Sequence, residues 1–223
     1  MTETMTVRPA GRDDAGAIAA ALGRAGLDET VFGWVVSDEQ ARRALVEAWT
    51  DHAQGWVSGV LDTGEILVGQ QDTGEILGLS VWEFLPDGPA RPDPVSAAEQ
   101  AAFVARAYGE YAPRMALVGE LTRERHPERE PHWYLQQMVV VPASRGRGLG
   151  AAMLRHQLAR ADAAGVGAYL EASSPRNRAL YERHGFRARG EPIWLPEGGP
   201  GIQPMWREPR RDAPTTPAAP PVR

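Results

Sequence analysis

The stretch that decides the fold of this chain is VVVPASRGRGLGAAML, residues 139–154. An apolar segment typical of a β-strand leads into three closely spaced glycines, and apolar residues at helical spacing follow them. The start of a helix offers backbone N–H groups without intrahelical partners and the positive end of the helix dipole. Glycine lets the backbone adopt positive φ and approach an anion closely, and Arg145 and Arg147 add positive charge. The pattern therefore predicts a site for a pyrophosphate.

One class of pyrophosphate site that fits is the dinucleotide-binding turn. Gly146, Gly148 and Ala151 match its fingerprint, G-x-G-x-x-A. Glu171 lies twenty residues after Ala151, where a carboxylate that binds the ribose would be expected. A plain strand-to-helix turn without a ligand is a second interpretation that stays open.

Arg145, Gly148 and Gly150 also match the pattern Q/R-x-x-G-x-G/A. In this respect the turn resembles the acyl-CoA pyrophosphate loop of the GNAT family of N-acetyltransferases. Four residues, 142–145, separate the strand from the first glycine, whereas a dinucleotide turn begins at once. Only about seventy residues follow the turn, fewer than the remaining strands of a doubly wound fold need. Two arginines also suit CoA, which carries more negative charge than NAD. These observations favour the acyl-CoA loop.

A second cluster, AYLEASSPRNRALYERHGF, occupies residues 168–186. It reads as a strand followed by a short helix that begins at Ser174 and Pro175. Alternation along the strand places Glu171 on one face together with the residues two positions away. In the helix, Asn177 and Tyr181 are four residues apart and share a face. Asn177 can bond an amide-bearing chain such as pantetheine, and Tyr181 can present a phenol beyond the end of that chain.

The two clusters together carry the family resemblance. SRGRGLGAAML (144–154) followed by LEASSPRNRALYERHGF (170–186) is similar to motifs A and B of GNAT enzymes. With HWYLQQMVVVP (132–142), these segments resemble the branch of the family that includes puromycin N-acetyltransferase. The likeness covers about 132–190, extends to VRPAGRDD (7–14), and is weak over 27–125, where acceptor specificity is normally encoded.

The resemblance implies an α/β single-domain GNAT fold, with a mixed, mostly antiparallel central sheet and flanking helices. We expect this domain to span residues 1–209. Residues 210–223, rich in proline, have too few apolar groups to offset the entropy of ordering and are predicted to be a disordered tail.

The resemblance also implies acetyl-CoA as co-substrate, with direct acetyl transfer to a primary amine through a tetrahedral intermediate. In the family pattern, the strand before the glycine turn pairs with pantetheine and supplies an N–H to the oxyanion. Tyr181 matches the tyrosine that protonates the departing thiolate; a packed tyrosine is the alternative interpretation. The residues expected to bind the cofactor are Met138, Val139, Val140, Arg145, Gly146, Arg147, Gly148, Leu149, Gly150 and Asn177.

The general base is less constrained by the sequence. Glu171 lies on the strand that borders the expected cleft, and partial burial would raise its pKa toward a useful range. A structural glutamate paired with an arginine is the competing interpretation. Glu83, Glu120 and a relay through water stay open as other routes for the proton.

The remaining aromatic residues and histidines have two interpretations each. Phe32, Trp34 and the pair Trp133–Tyr134 could form an apolar acceptor cleft, or pack in the core. His132, directly before that pair, could line the acceptor pocket, although a structural role is favoured. The five histidines show no HExxH or similar spacing, so we predict no metal site.

Composition excludes several classes of chemistry. The chain of 223 residues has no cysteine, which excludes disulfides, thiolate metal sites and a cysteine nucleophile. It also has no lysine, which excludes a Schiff base and the lysine of a GxxxxGK[ST] loop. A net charge of −5 argues against general nucleic-acid binding. Without an apolar run that could span a bilayer or a signal core, we expect a cytoplasmic protein that does not bind membranes.

The N-terminal half is predicted in less detail. Residues 7–9 read as a first strand, and Asp13 or Asp14 caps a helix that ends near Gly26. A second helix is predicted from Asp38 to near Gly55, with an aromatic connection rather than an element over 27–38.

A repeated hexapeptide, DTGEIL, occurs at 62–67 and 72–77. Each Asp-Thr-Gly reads as a turn that leads into a strand, so residues 57–84 are predicted to form an antiparallel meander. Residues 85–94 are a predicted loop, and 96–125 are predicted to be helical with a break near Pro113.

The sequence therefore predicts an acetyl-CoA-dependent N-acetyltransferase that acts on a primary amine of a small molecule, of the kind found in antibiotics and related metabolites. A peptide or protein N-terminal acetyltransferase is one alternative. A module that binds acyl-CoA without turnover is another. Exposed edges of mixed sheets leave a homodimer possible, but no sequence feature specifies one.

Overall fold

The structure, a computed structural model, describes residues 5–49, 52–89 and 94–210. Within these ranges eight strands form one mixed sheet. They are β1 (Met5–Pro9), β2 (Gly64–Gln71), β3 (Ile76–Leu85), β4 (His132–Val140), β5 (Gly167–Ala172), β6 (Arg187–Ala188), β7 (Ile193–Trp194) and β8 (Gly201–Arg207). The strand order is β1-β2-β3-β4-β5-β8-β6, with β7 paired to β8. Only β4 and β5 pair in parallel among the described strands, so the mixed, mostly antiparallel sheet is confirmed.

Helices flank the sheet on both faces. In the described ranges they are α1 (Ala15–Gly26), α2 (Thr30–Val35), α3 (Glu39–Trp49), α4 (Ala53–Thr63), α5 (Pro94–Tyr108), α6 (Ala112–Arg123), α7 (Leu149–Ala164) and α8 (Pro175–Arg183). The first strand, the helix ending at Gly26 and the strand–helix alternation after residue 132 are confirmed. The break between the two helices of 96–125 is also confirmed; it lies at Gly109–Tyr111.

Three predictions for the N-terminal half are wrong. The segment 27–38 is not a plain connection, because α2 forms within it; the Glu29 carboxylate caps this helix by accepting from the Phe32 N–H at 2.7 Å. The second helix ends at Trp49 rather than near Gly55, since a separate helix, α4, begins at Ala53. The first Asp-Thr-Gly, predicted to be a turn, lies at the end of α4 and does not form a hairpin. Residues 90–93 of the predicted loop and 211–223 of the predicted tail lie outside the described residues.

The apolar core of the described residues has two main parts. One part packs β1, β2 and β3 against α1, α4 and α7, with Ile18, Val68 and Leu79 fully buried. The other packs β4, β5 and β8 against α7 and α8, with Leu154 and Met205 fully buried. Helix α7 contributes to both parts, so its start is held rigidly against the sheet.

The two parallel strands separate after a short contact. β4 and β5 pair from His132 opposite Gly167 to Leu135 opposite Leu170. Beyond that point β4 continues along β3 to Val140, while β5 continues along β8 to Ala172. At the point of separation the register between β3 and β4 shifts. Val81 pairs with Gln137, and the next residue, Trp82, pairs with Leu135. Gln136 is therefore an extra residue in β4, which is a β-bulge. The resulting bulge opens a wedge between the strands.

Candidate active site

A cleft of about 600 Å³ occupies this wedge. Its walls come from the end of β4, the glycine turn, the starts of α7 and α8, and the segment that joins α1 to α2. Of the ten residues predicted to bind a cofactor, nine line the cleft: Met138, Val139, Val140, Arg145, Gly146, Gly148, Leu149, Gly150 and Asn177. Arg147 is exposed on the same turn, outside this lining.

The backbone of β4 presents hydrogen-bonding groups to the cleft. The Val141 N–H donates to Leu77 O of β3 at 2.8 Å, and backbone groups point to alternate sides along a strand. Met138 and Val140 therefore direct their N–H and C=O groups away from β3 and into the wedge. The Val140 carbonyl confirms this direction, because it accepts from Arg145 Nε at 2.9 Å. An extended amide chain laid in the cleft would meet these groups as it would meet a neighbouring strand.

The glycine turn delivers the start of α7 to the cleft. Gly146 and Gly148 have φ of 78° and 88°, in the left-handed region that other residues enter at a cost, so this turn requires glycine at both positions. The first backbone bond of α7 runs from Ala152 N to Gly148 O at 2.9 Å. The preceding N–H groups, at 149–151, are those that a helix leaves without internal partners, and all three of these residues line the cleft beside Gly148. This arrangement suits an anion such as a diphosphate.

Arg145 is held in place but is not free of counter-charge. Its Nε is fixed by the Val140 carbonyl, and its guanidinium forms a two-pronged ion pair with the Asp28 carboxylate, one contact measuring 2.7 Å. The bond to Asp28 raises the pKa of Arg145, and the bond to Arg145 lowers the pKa of Asp28. The cation predicted to bind phosphate is therefore paired with a carboxylate that also lines the cleft.

The short helix α8 places Asn177 on the cleft and Tyr181 beneath it. The Ser174 hydroxyl caps the helix by accepting from the Asn177 N–H at 3.2 Å, as the Ser-Pro start predicts. The Tyr181 side chain is 5% exposed and packs edge-on against Phe186. Burial raises the pKa of Tyr181, and the charge of Glu29, a residue of the cleft lining, adds to the effect. The phenol thus lies in the core, near the Glu29 side of the cleft.

Glu171 lies where the two parallel strands part. Its side chain is 8% exposed, its Oε2 accepts from the Tyr134 hydroxyl at 3.0 Å, and its Oε1 has no hydrogen-bond partner. Burial raises the pKa of Glu171 to about 7, although hydrogen bonds from Tyr134 and Tyr169 act in the opposite direction. The competing interpretation, a glutamate paired with arginine, is not what the structure shows, because the neighbours of this carboxyl are two tyrosines and His126. A carboxyl group with this pKa can exchange a proton near neutral pH.

The other candidate bases differ from Glu171 in exposure. Glu83 of β3 is half-buried and accepts from the Gln136 amide; burial raises its pKa. Glu120 lies exposed on α6. Glu83 therefore remains a second candidate for the general base, and it lies next to the bulge at Gln136.

The predicted aromatic acceptor cleft does not form from the four residues proposed for it. Phe32 packs edge-on against Tyr108 of α5, whereas Trp34 lies under the Arg114 guanidinium. Trp133 contacts Phe84, and Tyr134 packs with His126 and Tyr169. The four rings do not contact one another, because they lie on different elements and on opposite faces of the sheet.

Several residues of the cleft were not identified from the sequence. Asp28 and Glu29 come from the segment before α2, and Arg176 and Arg183 come from α8. The arginines could have been found from their places beside Asn177 on the predicted helix. Asp28 could not, because it meets Arg145 across 117 positions of sequence.

Two further findings concern metals and membranes. Among the described residues no group of three or more histidine and carboxylate side chains is arranged to hold a metal ion. None of the helices within the described ranges combines the length and apolar character needed to cross a membrane.

A sheet whose two parallel strands part beside a glycine turn is typical of an acyl-CoA-dependent acyltransferase. Residues 20–186 match the model of the acetyltransferase (GNAT) family, and the chain belongs to this family. It is an N-acetyltransferase with acetyl-CoA as co-substrate, as the sequence predicts.

Known proteins support the family at different levels. Over 50 residues the chain is 42% identical to the L-2,4-diaminobutyric acid acetyltransferase of Vibrio cholerae, a segment that covers 22% of this chain and 29% of that relative. A Corynebacterium glutamicum structure described as histone acetyltransferase HPA2 and related acetyltransferase is 28% identical, with a TM-score of 0.61 over 96% of this chain and 99% of its own. Arylalkylamine N-acetyltransferase 2 from Aedes aegypti, 12% identical over 92% of this chain and 99% of its own, has a TM-score of 0.62 and shows the shared fold alone.

Proposed function

We propose that this chain transfers the acetyl group of acetyl-CoA directly to a primary amine of a small molecule, of the kind found in antibiotics and related metabolites. The observation that carries the proposal is the enclosure of Glu171, which is 8% exposed at the point where β4 and β5 part. An N-terminal acetyltransferase needs room for a peptide chain next to its base, and an enclosed base favours a compact acceptor instead. The relative from Vibrio cholerae, whose name gives a small diamino acid as substrate, supports the same class.

The cofactor fits the residues that line the cleft. Backbone groups of Met138 and Val140 would hold the pantetheine chain, and Asn177 would bond one of its amides. The turn at Gly146–Gly148 and the start of α7 would bind the diphosphate together with Arg145. When bound, acetyl-CoA supplies an activated acetyl group on a thiol leaving group.

Three tasks then fall to this chain's own residues. The Glu171 carboxylate takes a proton from the acceptor ammonium, which frees the nitrogen lone pair to form the new C–N bond. A backbone N–H of β4, in the region Met138–Val140, donates to the carbonyl oxygen as negative charge develops there. Tyr181, whose raised pKa keeps the phenol protonated, donates its proton toward the sulfur as the C–S bond breaks.

The test measures thiol release from acetyl-CoA with a panel of aminonucleosides, aminoglycosides, amino acids and polyamines, beside a set of peptides with free N-termini. We expect turnover with at least one small amine and none with the peptides. Glu171→Gln should lower kcat/KM for that amine by about 10²–10⁴-fold, since it removes a general base. Glu182→Gln, which changes an exposed carboxyl on α8, is the matched control and should leave kcat/KM unchanged.

Two outcomes would overturn the proposal. Thiol release confined to the peptides would assign the chain to the N-terminal acetyltransferases. Binding of acetyl-CoA by calorimetry without thiol release in any mixture would make the chain a binding module, and Tyr181→Phe would then have no turnover to change.

A further inference from the structure

Two buried histidines extend from Glu171 into the protein, away from the cleft. His132 of β4 is fully buried, and His126, just after α6, is 9% exposed. Their Nε2 atoms lie 2.9 Å apart, which is hydrogen-bond distance. His132 Nδ1 lies 2.6 Å from the Glu130 carbonyl oxygen, and His126 Nδ1 lies 3.9 Å from Glu171 Oε1. The proposed function assigns no role to either histidine.

The hydrogen bonds fix the tautomers of both rings. A carbonyl oxygen only accepts, so His132 must carry its proton on Nδ1 to bond Glu130. In a neutral ring the other nitrogen, Nε2, is then an acceptor, and the His126 Nε2 that faces it must be the donor. It follows that Nδ1 of a neutral His126 has a bare lone pair, and this lone pair faces Glu171.

Both rings are neutral in this setting. Burial lowers the pKa of His126 to about 3, and the nearby His132 adds to the effect. Burial also lowers the pKa of His132, and the Arg189 charge acts in the same direction, whereas the Glu130 carbonyl and carboxylate oppose it. Aromatic contacts with Tyr169 and Trp206 enclose the pair on its remaining sides.

The tautomer of His126 bears on the protonation of Glu171, because Nδ1 lies 3.9 Å from Glu171 Oε1. An ionised carboxylate would direct Oε1, which has no hydrogen-bond partner and no contact with solvent, toward a lone pair. A protonated Oε1 can instead donate toward His126 Nδ1. The other groups that face this carboxyl are the hydroxyls of Tyr134 and Tyr169; Glu83 acts on Tyr134, and Arg125 and Arg189 act on Tyr169.

We propose that His132 and His126 are positioning residues which, by turning a bare nitrogen toward Glu171, hold a proton on its carboxyl group. The inference rests on the proposed role of Glu171 as general base and adds what sets the pH at which that base becomes available. Below this pH the carboxyl keeps its proton and cannot take one from the acceptor ammonium.

The first test uses the wild-type chain. In a protein labelled with ¹⁵N-histidine, the ring nitrogens should report His132 protonated on Nδ1 and His126 protonated on Nε2 near neutral pH. A protonated Nδ1 on His126 would overturn the proposal, whatever the activity of the enzyme.

The second test compares two variants through the ¹³C resonance of the Glu171 carboxyl, assigned with Glu171→Gln. In His132→Phe the ring of His126 loses its acceptor, can move its proton to Nδ1, and can donate to Glu171. We expect the midpoint of the carboxyl titration to fall by about one pH unit or more, since a donor to the carboxylate stabilises that form. In His126→Phe the lone pair is lost but no donor replaces it, so the midpoint should fall less than in His132→Phe.

A control variant and a measurement of activity accompany the carboxyl titration. His156→Phe, on α7 and outside this cluster, should leave the midpoint unchanged, and thermal unfolding confirms that each variant is folded. An unchanged midpoint in folded His132→Phe would show that burial alone sets the titration and would overturn the proposal. With an accepted amine, the acidic limb of kcat/KM should shift with the midpoint in His132→Phe. If no amine is accepted, the proposed function fails while the carboxyl titration still decides this inference.

Discussion

At the scale of single residues, Asp28 is the cleft residue whose charge opposes the expected ligand. Its carboxylate is 53% exposed and pairs with Arg145, a guanidinium that the Val140 carbonyl already holds in place. A diphosphate in the cleft competes with this carboxylate for the same cation. Asp28 therefore lowers the affinity for the cofactor. Arg145 keeps its orientation without Asp28, because the Val140 carbonyl holds it.

We accordingly expect Asp28→Asn to bind CoA about 2- to 5-fold more tightly, a gain of roughly 1 kcal/mol or less, as for other exposed ion pairs. Calorimetric titration with CoA measures this, and the gain should shrink as salt is added, because the effect is electrostatic. Asp62→Asn, which removes an exposed carboxylate paired with Arg12, is the control. Weaker binding by Asp28→Asn would mean that the ion pair builds the site instead of competing for it.

Residues also show what the sequence could and could not predict about the site. Glu171 and Asn177 were found because strand alternation and helix spacing are local rules that place a side chain on a face. Strand alternation also placed Tyr169 on the face of Glu171, but neither rule says what meets that face, so Tyr134 and His126 were not predicted as its neighbours. The Glu29 cap was missed because glutamate is not among the residues preferred at that position.

At the scale of elements, the repeated hexapeptide DTGEIL shows the limit of local patterns. The first copy ends α4 and begins β2, while the second makes the turn between β2 and β3. Identical residues adopt different structures because their surroundings differ. A Cβ at Gly64 would lie 2.4 Å from the Trp82 carbonyl, whereas Gly74 has open space and a φ of 83°. Helix α7 and strand β5 were predicted correctly because several independent signals agreed on them.

The buried ion pair that joins α7 to β8 gives a prediction at the same scale. Arg207 and Asp162 are 3% and 10% exposed and share two hydrogen bonds of 2.7 and 2.8 Å. Asp162→Asn leaves a buried guanidinium without its counter-ion, so we expect a loss of about 3 kcal/mol in the free energy of unfolding. Denaturant unfolding measures the loss. Glu39→Gln, which breaks an exposed pair on α3, should leave the free energy of unfolding close to that of the wild type.

The same pair predicts a dependence on pH. Burial would raise the pKa of Asp162, but the bonds from Arg207 and the Arg210 N–H outweigh it, so the pKa is lowered on folding. The stabilisation is therefore present above the unfolded pKa, near 3.9, and is lost as the pH falls through the folded value. The gap between wild type and Asp162→Asn should close in acid; a gap that stays constant to low pH would contradict this account.

At the scale of the whole molecule, the order of strands and helices could be predicted well beyond residue 132, and less well before residue 125. From β4 to α8 the chain is made of consecutive elements that pack on one another, so local signals are enough there. The cleft depends on a different feature, the bulge at Gln136 that parts β4 from β5. A bulge is set by pairing between β3 and β4, more than fifty positions apart, and no local pattern marks it.

Because the cleft joins both parts of the core through α7, occupation by cofactor should stabilise the entire domain. A ligand that binds only the folded state adds about 2.7 kcal/mol at 100 times its Kd. For a domain of this size that amounts to a rise in Tm of about 5–10 °C. We expect acetyl-CoA to produce this rise in a thermal unfolding scan, and NAD to produce none. Arg145→Ala should reduce the rise, since the diphosphate then loses a charged partner, while the control Arg43→Ala on α3 should not. A larger rise with NAD than with acetyl-CoA would contradict the acyl-CoA site, because a ligand that binds the folded state more tightly at the same concentration raises Tm more.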